Sequence, residues 1–240
     1  MSRLYWPQST DPRTSDEDAP LPFNILLPMS PVPGPQRPYF AYISDNVAET
    51  GDGELEVVRA TLQAELDCHD APTSDSSGSS TECDVVCKVA HSKLRLKELK
   101  EEARLYEGAL APLQGTVVPK YYGYFIGNSP DGVVGVLVTE DCGDPLRREL
   151  KSYSERFRQT ALEALMEVHR AGVAHGNFTR RNIVSWDDDL EWLRLVNFQA
   201  AREHDCPCVA KSIDTTKTLS WGDIRCHELY YACVKAQLCF

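Results

Sequence analysis

The first half of the chain alternates short apolar runs with polar turns, a pattern that predicts several strands and one helix. Residues 55–66 and 85–90 are rich in β-branched and apolar side chains, and both runs predict strands. Residues 92–110 carry apolar side chains at helical spacing between charged ones and predict an amphipathic helix. Residues 121–125 and 133–139 predict a second pair of strands around a turn rich in Gly, Asn and Pro.

The second half opens with a stronger helical pattern and then shortens into brief apolar runs. Apolar residues recur at helical spacing over 154–170, and Gly172 is a suitable residue to end that helix. The runs 182–185 and 192–196 predict two short strands on either side of an aspartate-rich turn. No internal repeat interrupts this order.

Two segments have a composition that disfavours regular structure. Residues 1–38 hold nine of the fifteen prolines, which remove backbone donors, so we predict a disordered tail. Within that tail the apolar piece 23–27 either docks on the folded part or on a partner, or is solvated. Residues 67–84 are rich in Ser and Asp and predict a flexible surface insert between two strands.

Composition and charge narrow the classes of partner. Apolar residues make up 42% and charged residues 25%, which is typical of a globular protein with a real core. The net charge of −11 argues against a nucleic-acid partner. We find neither a signal-peptide pattern nor an apolar stretch long enough to span a bilayer, so we expect no membrane association and a cytoplasmic or nuclear location.

The nine cysteines are interpreted as reduced thiols, as expected for that location. One alternative is a zinc site, because residues 204–208 read His-Asp-Cys-Pro-Cys. The spacing is tighter than that of usual zinc pairs, and Cys226 with His227 is the one obvious complement.

Several features that suit phosphate chemistry follow one another along the chain, beginning with a glycine-bearing turn. Gly51, Gly53 and Val58 fit a glycine-rich loop, since glycine lets phosphates approach the backbone closely. Glu56 stands where the third glycine of such a loop would be, and its carboxylate would repel phosphate. The alternative interpretation of this segment is an ordinary turn.

The next feature is a single lysine, Lys88, within the apolar run 85–90. A lysine in a buried strand is costly unless it is paired, and the following helix offers Glu101 and Glu102. We predict an ion pair between Lys88 and this helix. The alternative is an edge-strand lysine that points to water.

Two asparagine-bearing motifs complete the set. Residues 175–182 read His-Gly-Asn-Phe-Thr-Arg-Arg-Asn, which places Asn177 and Asn182 five residues apart. Residues 197–199 then read Asn-Phe-Gln, directly after a short apolar run.

This ordered set resembles the protein kinases, and within that superfamily it is most similar to short fungal kinase-like proteins. The matching residues are Lys88, Glu102-Ala103 with Tyr106, Gln114-Gly115, Val118-Pro119, Tyr122-Gly123 and His175 to Asn182. The resemblance covers about residues 40–235. It implies an α+β, protein-kinase-like two-lobed fold: an N-lobe antiparallel sheet with one helix over 39–143, and a shortened, mainly helical C-lobe over 144–240.

The resemblance also implies roles for the matching residues. Glu102 rather than Glu101 would pair with Lys88, and Lys88 would contact nucleotide phosphates. Asn177 would stand at the general-base position, and Asn182 and Asn197 at the magnesium positions. The implied nucleotide-binding residues are Gly51, Gly53, Val58, Lys88, Thr139, Glu140 and Cys142. His175 and Phe198 are interpreted as packing residues.

Asn177 and Asn197 both occupy positions where the resemblance implies aspartate. An amide cannot accept the substrate hydroxyl proton, and losing a general base costs about 10²–10⁴-fold in rate. Magnesium prefers charged oxygen ligands, so Asn197 would hold it poorly. We therefore expect a pseudokinase that acts as a binding or regulatory protein, with ATP and Mg²⁺ bound weakly or not at all.

Two other functions remain open at this point. One is an active phosphotransferase, acting on protein or small molecules, that tolerates asparagine at both positions; the other is a structural remnant that binds nothing. Only 43 residues follow Asn197 and none of them form an Ala-Pro-Glu triplet, so we expect peptide-docking surfaces to be largely missing. The expected partners are a nucleotide and a protein that the sequence does not identify.

Overall fold

The computed structural model describes residues 3–7, 23–30, 38–49, 53–64, 82–187, 192–213 and 220–239. The chain divides into two compact units. The first comprises Met1–Ala103 and Tyr121–Asp141, and the second comprises Arg104–Lys120 and Cys142–Phe240. The predicted glycine-loop residue Gly51 and most of the predicted insert 67–84 lie outside the described residues.

The first unit is a closed barrel of seven strands. These strands are β1 (Arg3–Pro7), β2 (Phe23–Pro28), β3 (Pro38–Glu49), β4 (Leu55–Ala64), β5 (Glu82–Ala90), β6 (Tyr121–Ser129) and β7 (Gly132–Glu140). Their order around the barrel is β1-β2-β6-β7-β5-β4-β3. The pair β1–β3 is parallel and the other pairs are antiparallel, so the sheet is mixed.

The barrel interior is filled by alternate residues of its strands, as the period of two in a strand requires. The fully or nearly fully buried side chains of this core include Leu4, Trp6, Leu26, Val58, Ala60, Val85, Cys87, Val89, Val136 and Val138. Helix α1 (Lys93–Glu107) follows β5, and its residue Leu99 is fully buried. The Tyr124 hydroxyl of β6 donates a hydrogen bond to the Leu96 carbonyl at 3.1 Å.

The prediction of a protein-kinase-like two-lobed fold with an antiparallel N-lobe sheet is wrong. The sheet closes into a mixed barrel because β1 pairs with β3 and β2 pairs with β6. Both closing strands come from the proline-rich segment 1–38, which we predicted to be a disordered tail. Pro7 and Pro28 stand at strand ends, where a missing backbone donor interrupts the hydrogen-bonded ladder least.

The second unit interleaves helices with very short strands. Its α-helices are α2 (Glu155–Arg170), α3 (Trp221–Ile224) and α4 (His227–Lys235), and its 3₁₀ turns are Ala111–Leu113, Leu150–Ser152, Arg180–Asn182 and Phe198–Ala200. Its strands are β8 (Asp144–Pro145), β9 (Val173–Ala174), β10 (Ile183–Ser185), β11 (Arg194–Leu195) and β12 (Arg202–Glu203). The predicted mainly helical C-lobe is therefore also wrong. Among the described helices, none combines the length and apolarity needed to cross a membrane.

The structure of helix α2 explains why the sequence predicted it well. The Ser154 hydroxyl accepts a hydrogen bond from the Phe157 backbone N–H at 3.2 Å and caps the helix start. Gly172, with φ +83°, follows the helix end in the left-handed conformation that glycine favours. Phe157, Leu162 and Leu165 form part of the buried face, so the predicted helix is confirmed at both ends.

Two of the described cysteines differ from the expectation that all cysteines are reduced thiols. Cys233 and Cys239 form a disulfide with a Cα–Cα distance of 5.3 Å at the end of α4. Cys83, Cys87, Cys142, Cys206, Cys208 and Cys226 are free thiols.

We predict a small pH-dependent contribution to stability from His91, next to β5. Its Nε2 lies 3.0 Å from a Glu56 carboxylate oxygen, and this hydrogen bond raises the pKa of His91 above its usual 6.5 despite partial burial. The raised pKa means that the stabilisation is fully present below about pH 6.5 and is lost as the pH rises through the folded-state pKa. Replacing His91→Asn should therefore cost stability at about pH 5.5 but little at about pH 8.5.

Because the pair is partly exposed, the difference should stay below about 1 kcal/mol. Denaturant unfolding of wild type and variant at both pH values measures it. Glu56→Gln should abolish the same difference, and an effect of His91→Asn that is larger at high pH would contradict the prediction.

Candidate functional site

The first unit contains the predicted pair of Lys88 and Glu102. The Lys88 ammonium donates to both Glu102 carboxylate oxygens, at 2.8 and 2.7 Å. The side chains are 13% and 1% exposed, so the pair is largely removed from water. Glu101 is exposed, so the predicted choice of Glu102 as the partner is confirmed. The catalytic role that the resemblance implies for the pair stays a prediction.

The other predicted nucleotide-binding residues of this unit occupy different kinds of position in the fold. Gly53 has φ +67°, a conformation that suits glycine. Val58 is fully buried in the barrel core, where its side chain packs against other strands. The Thr139 hydroxyl donates to the Val86 carbonyl at 3.3 Å, and Glu140 ends β7. In the second unit, Cys142 is buried.

The second unit brings the three predicted asparagines together. The Asn182 amide donates to the Asn177 backbone carbonyl at 2.7 Å. The Asn197 amide donates to the Asn182 side-chain oxygen at 3.1 Å. Asn182 closes the 3₁₀ turn Arg180–Asn182, and Asn197 has φ +67°, a left-handed conformation that asparagine tolerates better than most residues. Asn177, Asn182 and Asn197, which are five and fifteen residues apart in sequence, are thus linked by two hydrogen bonds between neutral amide groups.

A buried histidine fixes the loop that carries Asn177. His175 is fully buried, and its Nε2 lies 3.1 Å from the Val196 carbonyl. Its ring centroid lies 4.8 Å from that of Phe198, which is also buried. Both residues therefore pack as predicted.

Glu228 of α4 anchors the same loop, a role that no sequence motif indicated. Its carboxylate accepts hydrogen bonds from the backbone N–H groups of His175 and Gly176 at 3.0 and 2.7 Å. Burial acts to raise the pKa of Glu228, but hydrogen bonds from His169 and Gly176 outweigh it and hold that pKa below its usual range. Glu228 is therefore a carboxylate that holds backbone groups in place.

A cavity of about 980 Å³ opens beside the asparagines, and we call it the amide cleft. Its lining includes Asn177, Asn182, Asn197, Lys151, Arg180, Arg181, Lys235 and Glu149. The Arg180 guanidinium lies 3.1 Å from a Glu149 carboxylate oxygen and also donates to the Leu146 carbonyl at 3.2 Å. Among the described lining residues, four cations thus face one carboxylate.

The positive character of the amide cleft contrasts with the net charge of −11 for the chain. Lys151 and Lys235 come from segments that no sequence motif marked, and the fold brings them beside the asparagine loop. Neutral amides and cationic side chains suit the binding of an anion. They offer no carboxylate base and no charged oxygen ligands for magnesium at the asparagine positions.

Comparison of the sequence with described protein families and with curated proteins finds no match. The resemblance to kinase-like proteins therefore remains a prediction, and the barrel does not support it. Because unrelated functions share folds, the function has to be argued from the residues of the site itself.

Proposed function

We propose that this chain is a binding protein without phosphoryl-transfer activity, and that its amide cleft takes a phosphate-bearing anion. The observation that carries this proposal is the chain of three asparagines beside four cationic side chains in one cavity. Such a protein would act through what it binds and through the partners that sense binding.

The absence of turnover follows from the groups at the asparagine positions. Phosphoryl transfer depends on positioning and on electrostatic compensation by metal ions. The side chains of Asn177, Asn182 and Asn197 are neutral. The two hydrogen bonds use part of the capacity of the Asn182 and Asn197 amides, while Asn177 contributes its backbone carbonyl. Glu149 pairs with Arg180, which disfavours its use as a general base.

The preference for an anion follows from charge and geometry. Arg180 and Arg181 follow each other on the 3₁₀ turn that ends at Asn182, and Lys151 and Lys235 line the same cavity. Guanidinium groups bind phosphate oxygens in a fork, and a cationic concave surface raises the local anion concentration. ATP is one member of this ligand class, and its binding stays a prediction that the following experiment tests.

The expected result is saturable binding of inorganic tripolyphosphate to the full-length chain, measured by titration calorimetry, with an affinity that falls as salt rises. The double variant Arg181→Gln, Lys235→Gln should weaken it about tenfold, since each lost charge removes about 0.7 kcal/mol of screened attraction and about 1.4 kcal/mol is a factor of ten. The matched control, Lys97→Gln with Lys100→Gln on the exposed face of α1, removes the same charge and should leave affinity unchanged.

ATP with and without Mg²⁺ forms the second arm of the experiment. We expect Mg²⁺ not to strengthen ATP binding, and we expect no transfer of radiolabelled γ-phosphate. ATP consumption that disappears on replacing Asn177→Ala or Asn197→Ala would overturn the proposal and favour an active phosphotransferase. Equal tripolyphosphate affinity in the cleft variant and the control variant would overturn the assignment of the amide cleft.

A further inference from the structure

Four histidine and cysteine side chains of the second unit converge, and none of them lines the amide cleft. They are His169, His204, Cys206 and Cys226, and their ligand atoms all lie within 4.8 Å of one another. His169 lies in the last turn of α2, His204 and Cys206 follow β12, and Cys226 precedes α4. Three separate segments therefore supply one compact set of two nitrogens and two sulfurs.

Two distances within this set match those between ligand atoms of a tetrahedral ion. The Cys226 sulfur lies 3.5 Å from His169 Nδ1 and 3.5 Å from His204 Nε2. Zinc bonds of about 2.0–2.1 Å to nitrogen and about 2.3 Å to sulfur place the two ligand atoms about 3.6 Å apart at the tetrahedral angle. The rings of His169 and His204 are nearly perpendicular, at 82°, with centroids 5.0 Å apart.

A carboxylate orients one of the imidazoles for this purpose. His169 Nε2 lies 2.9 Å from a Glu228 oxygen, and His169 is 2% exposed. A ring N–H donated to Glu228 leaves the lone pair of Nδ1 directed at Cys226. In protein zinc sites, the outer ring N–H of a ligand histidine usually donates to a carboxylate, a backbone carbonyl or a water, which fixes the orientation of the ring.

We propose that His169, His204, Cys206 and Cys226 bind one Zn²⁺ ion in a closed structural site. Two thiolates and two imidazoles suit zinc, and four protein ligands leave no open position for catalysis. The alternative is a set of protonated thiols and imidazoles joined by hydrogen bonds.

The site would brace the second unit. It joins the end of α2, the segment after β12 and the start of α4, which are far apart in sequence. Glu228 connects His169 to the loop of His175 and Gly176 through the hydrogen bonds described above. Zinc would thereby stabilise the loop that carries Asn177, since metal-binding free energy adds to folding free energy when the unfolded chain binds weakly.

The experiment measures metal content and ligand type in the full-length protein. After removal of metal by a chelator and exposure to Zn²⁺, we expect one bound equivalent by elemental analysis and a thermal midpoint several degrees higher. Co²⁺ in place of Zn²⁺ should give the visible bands of a tetrahedral ion together with thiolate-to-metal charge transfer in the near ultraviolet.

Variants distinguish this set from adventitious thiols. Cys206→Ser and His204→Asn, both at partly exposed positions, should weaken Co²⁺ binding at least a hundredfold and change the visible spectrum. The matched control is Cys208→Ser, a free thiol two residues from Cys206 that lies outside the four-residue set, and it should retain one equivalent.

Co²⁺ titration of the metal-free wild type keeps the proposal testable even if a variant folds poorly. A wild-type protein that shows no thiolate charge-transfer band with excess Co²⁺ would overturn the proposal. Full metal binding by Cys206→Ser would do the same.

Discussion

Replacing Lys88→Met should destabilise the first unit by about 3–5 kcal/mol, because breaking a buried ion pair leaves an uncompensated charge. The charge left behind is Glu102, whose side chain is only 1% exposed. Both of its carboxylate oxygens accept hydrogen bonds from Lys88, so both would lose that donor. Urea unfolding, with hydrogen exchange of the barrel amides as a local readout, measures the loss.

The control for this prediction is the double variant Lys88→Met, Glu102→Leu. Apolar replacement of both partners of a buried pair is often close to neutral, so this variant should regain most of the lost stability. Glu101→Gln removes an exposed charge one position away and should change stability by less than about 0.5 kcal/mol. If Lys88→Met behaved like Glu101→Gln, the pair would not hold the first unit together.

This pair also shows how far sequence reasoning reaches. An apolar strand with one lysine, followed by a helix, requires a partner for that lysine, and the helix offers few candidates. The structure supplies Glu102, and it also confirms α2 with its Ser154 cap and its Gly172 end. The helix caps depend on residues within about a dozen positions, and the ion pair depends on the cost of burying an unpaired lysine. Both rules can therefore be applied to a single sequence.

Closure of the barrel was not predictable in the same way. Strands β1 and β2 are short, lie in a proline-rich segment, and gain their partners from β3 and β6. Their stability comes from burying Leu4, Trp6 and Leu26 in a shared core rather than from local propensity. The composition of residues 1–38 therefore predicted disorder, whereas the structure has strands there. These strands form by long-range pairing, which no local pattern reveals.

The two clusters of the second unit were predictable to different degrees. Residues 204–208 and Cys226 drew attention as metal ligands, but His169 carried no signal because it lies inside an ordinary helical pattern. The asparagine motifs were visible, whereas Lys151 and Lys235 were not, because only the fold brings them to the amide cleft. Residue types in the sequence therefore indicated part of the metal-ligand cluster and part of the amide cleft. The remaining residues of each could be found only from the tertiary structure.

The position of Asn177 depends on the glycine that precedes it. Gly176 has φ +77°, its N–H donates to Glu228 at 2.7 Å, and a Cβ there would overlap the Ala200 carbonyl oxygen. Gly172 has a similar φ of +83° but has open space around its missing Cβ. The two glycines thus share one backbone requirement and differ in steric surroundings.

Gly176→Ala should therefore destabilise the second unit by more than about 4 kcal/mol, while Gly172→Ala should cost about 1–2 kcal/mol from its left-handed backbone alone. The excess at Gly176 comes from backbone atoms, which cannot move aside as a flexible side chain can. Denaturant unfolding of both variants gives the difference, and tripolyphosphate titration should show weaker binding to Gly176→Ala but unchanged binding to Gly172→Ala. Equal losses of stability would mean that the loop shifts freely, and Asn177 would then not be held in place by this contact.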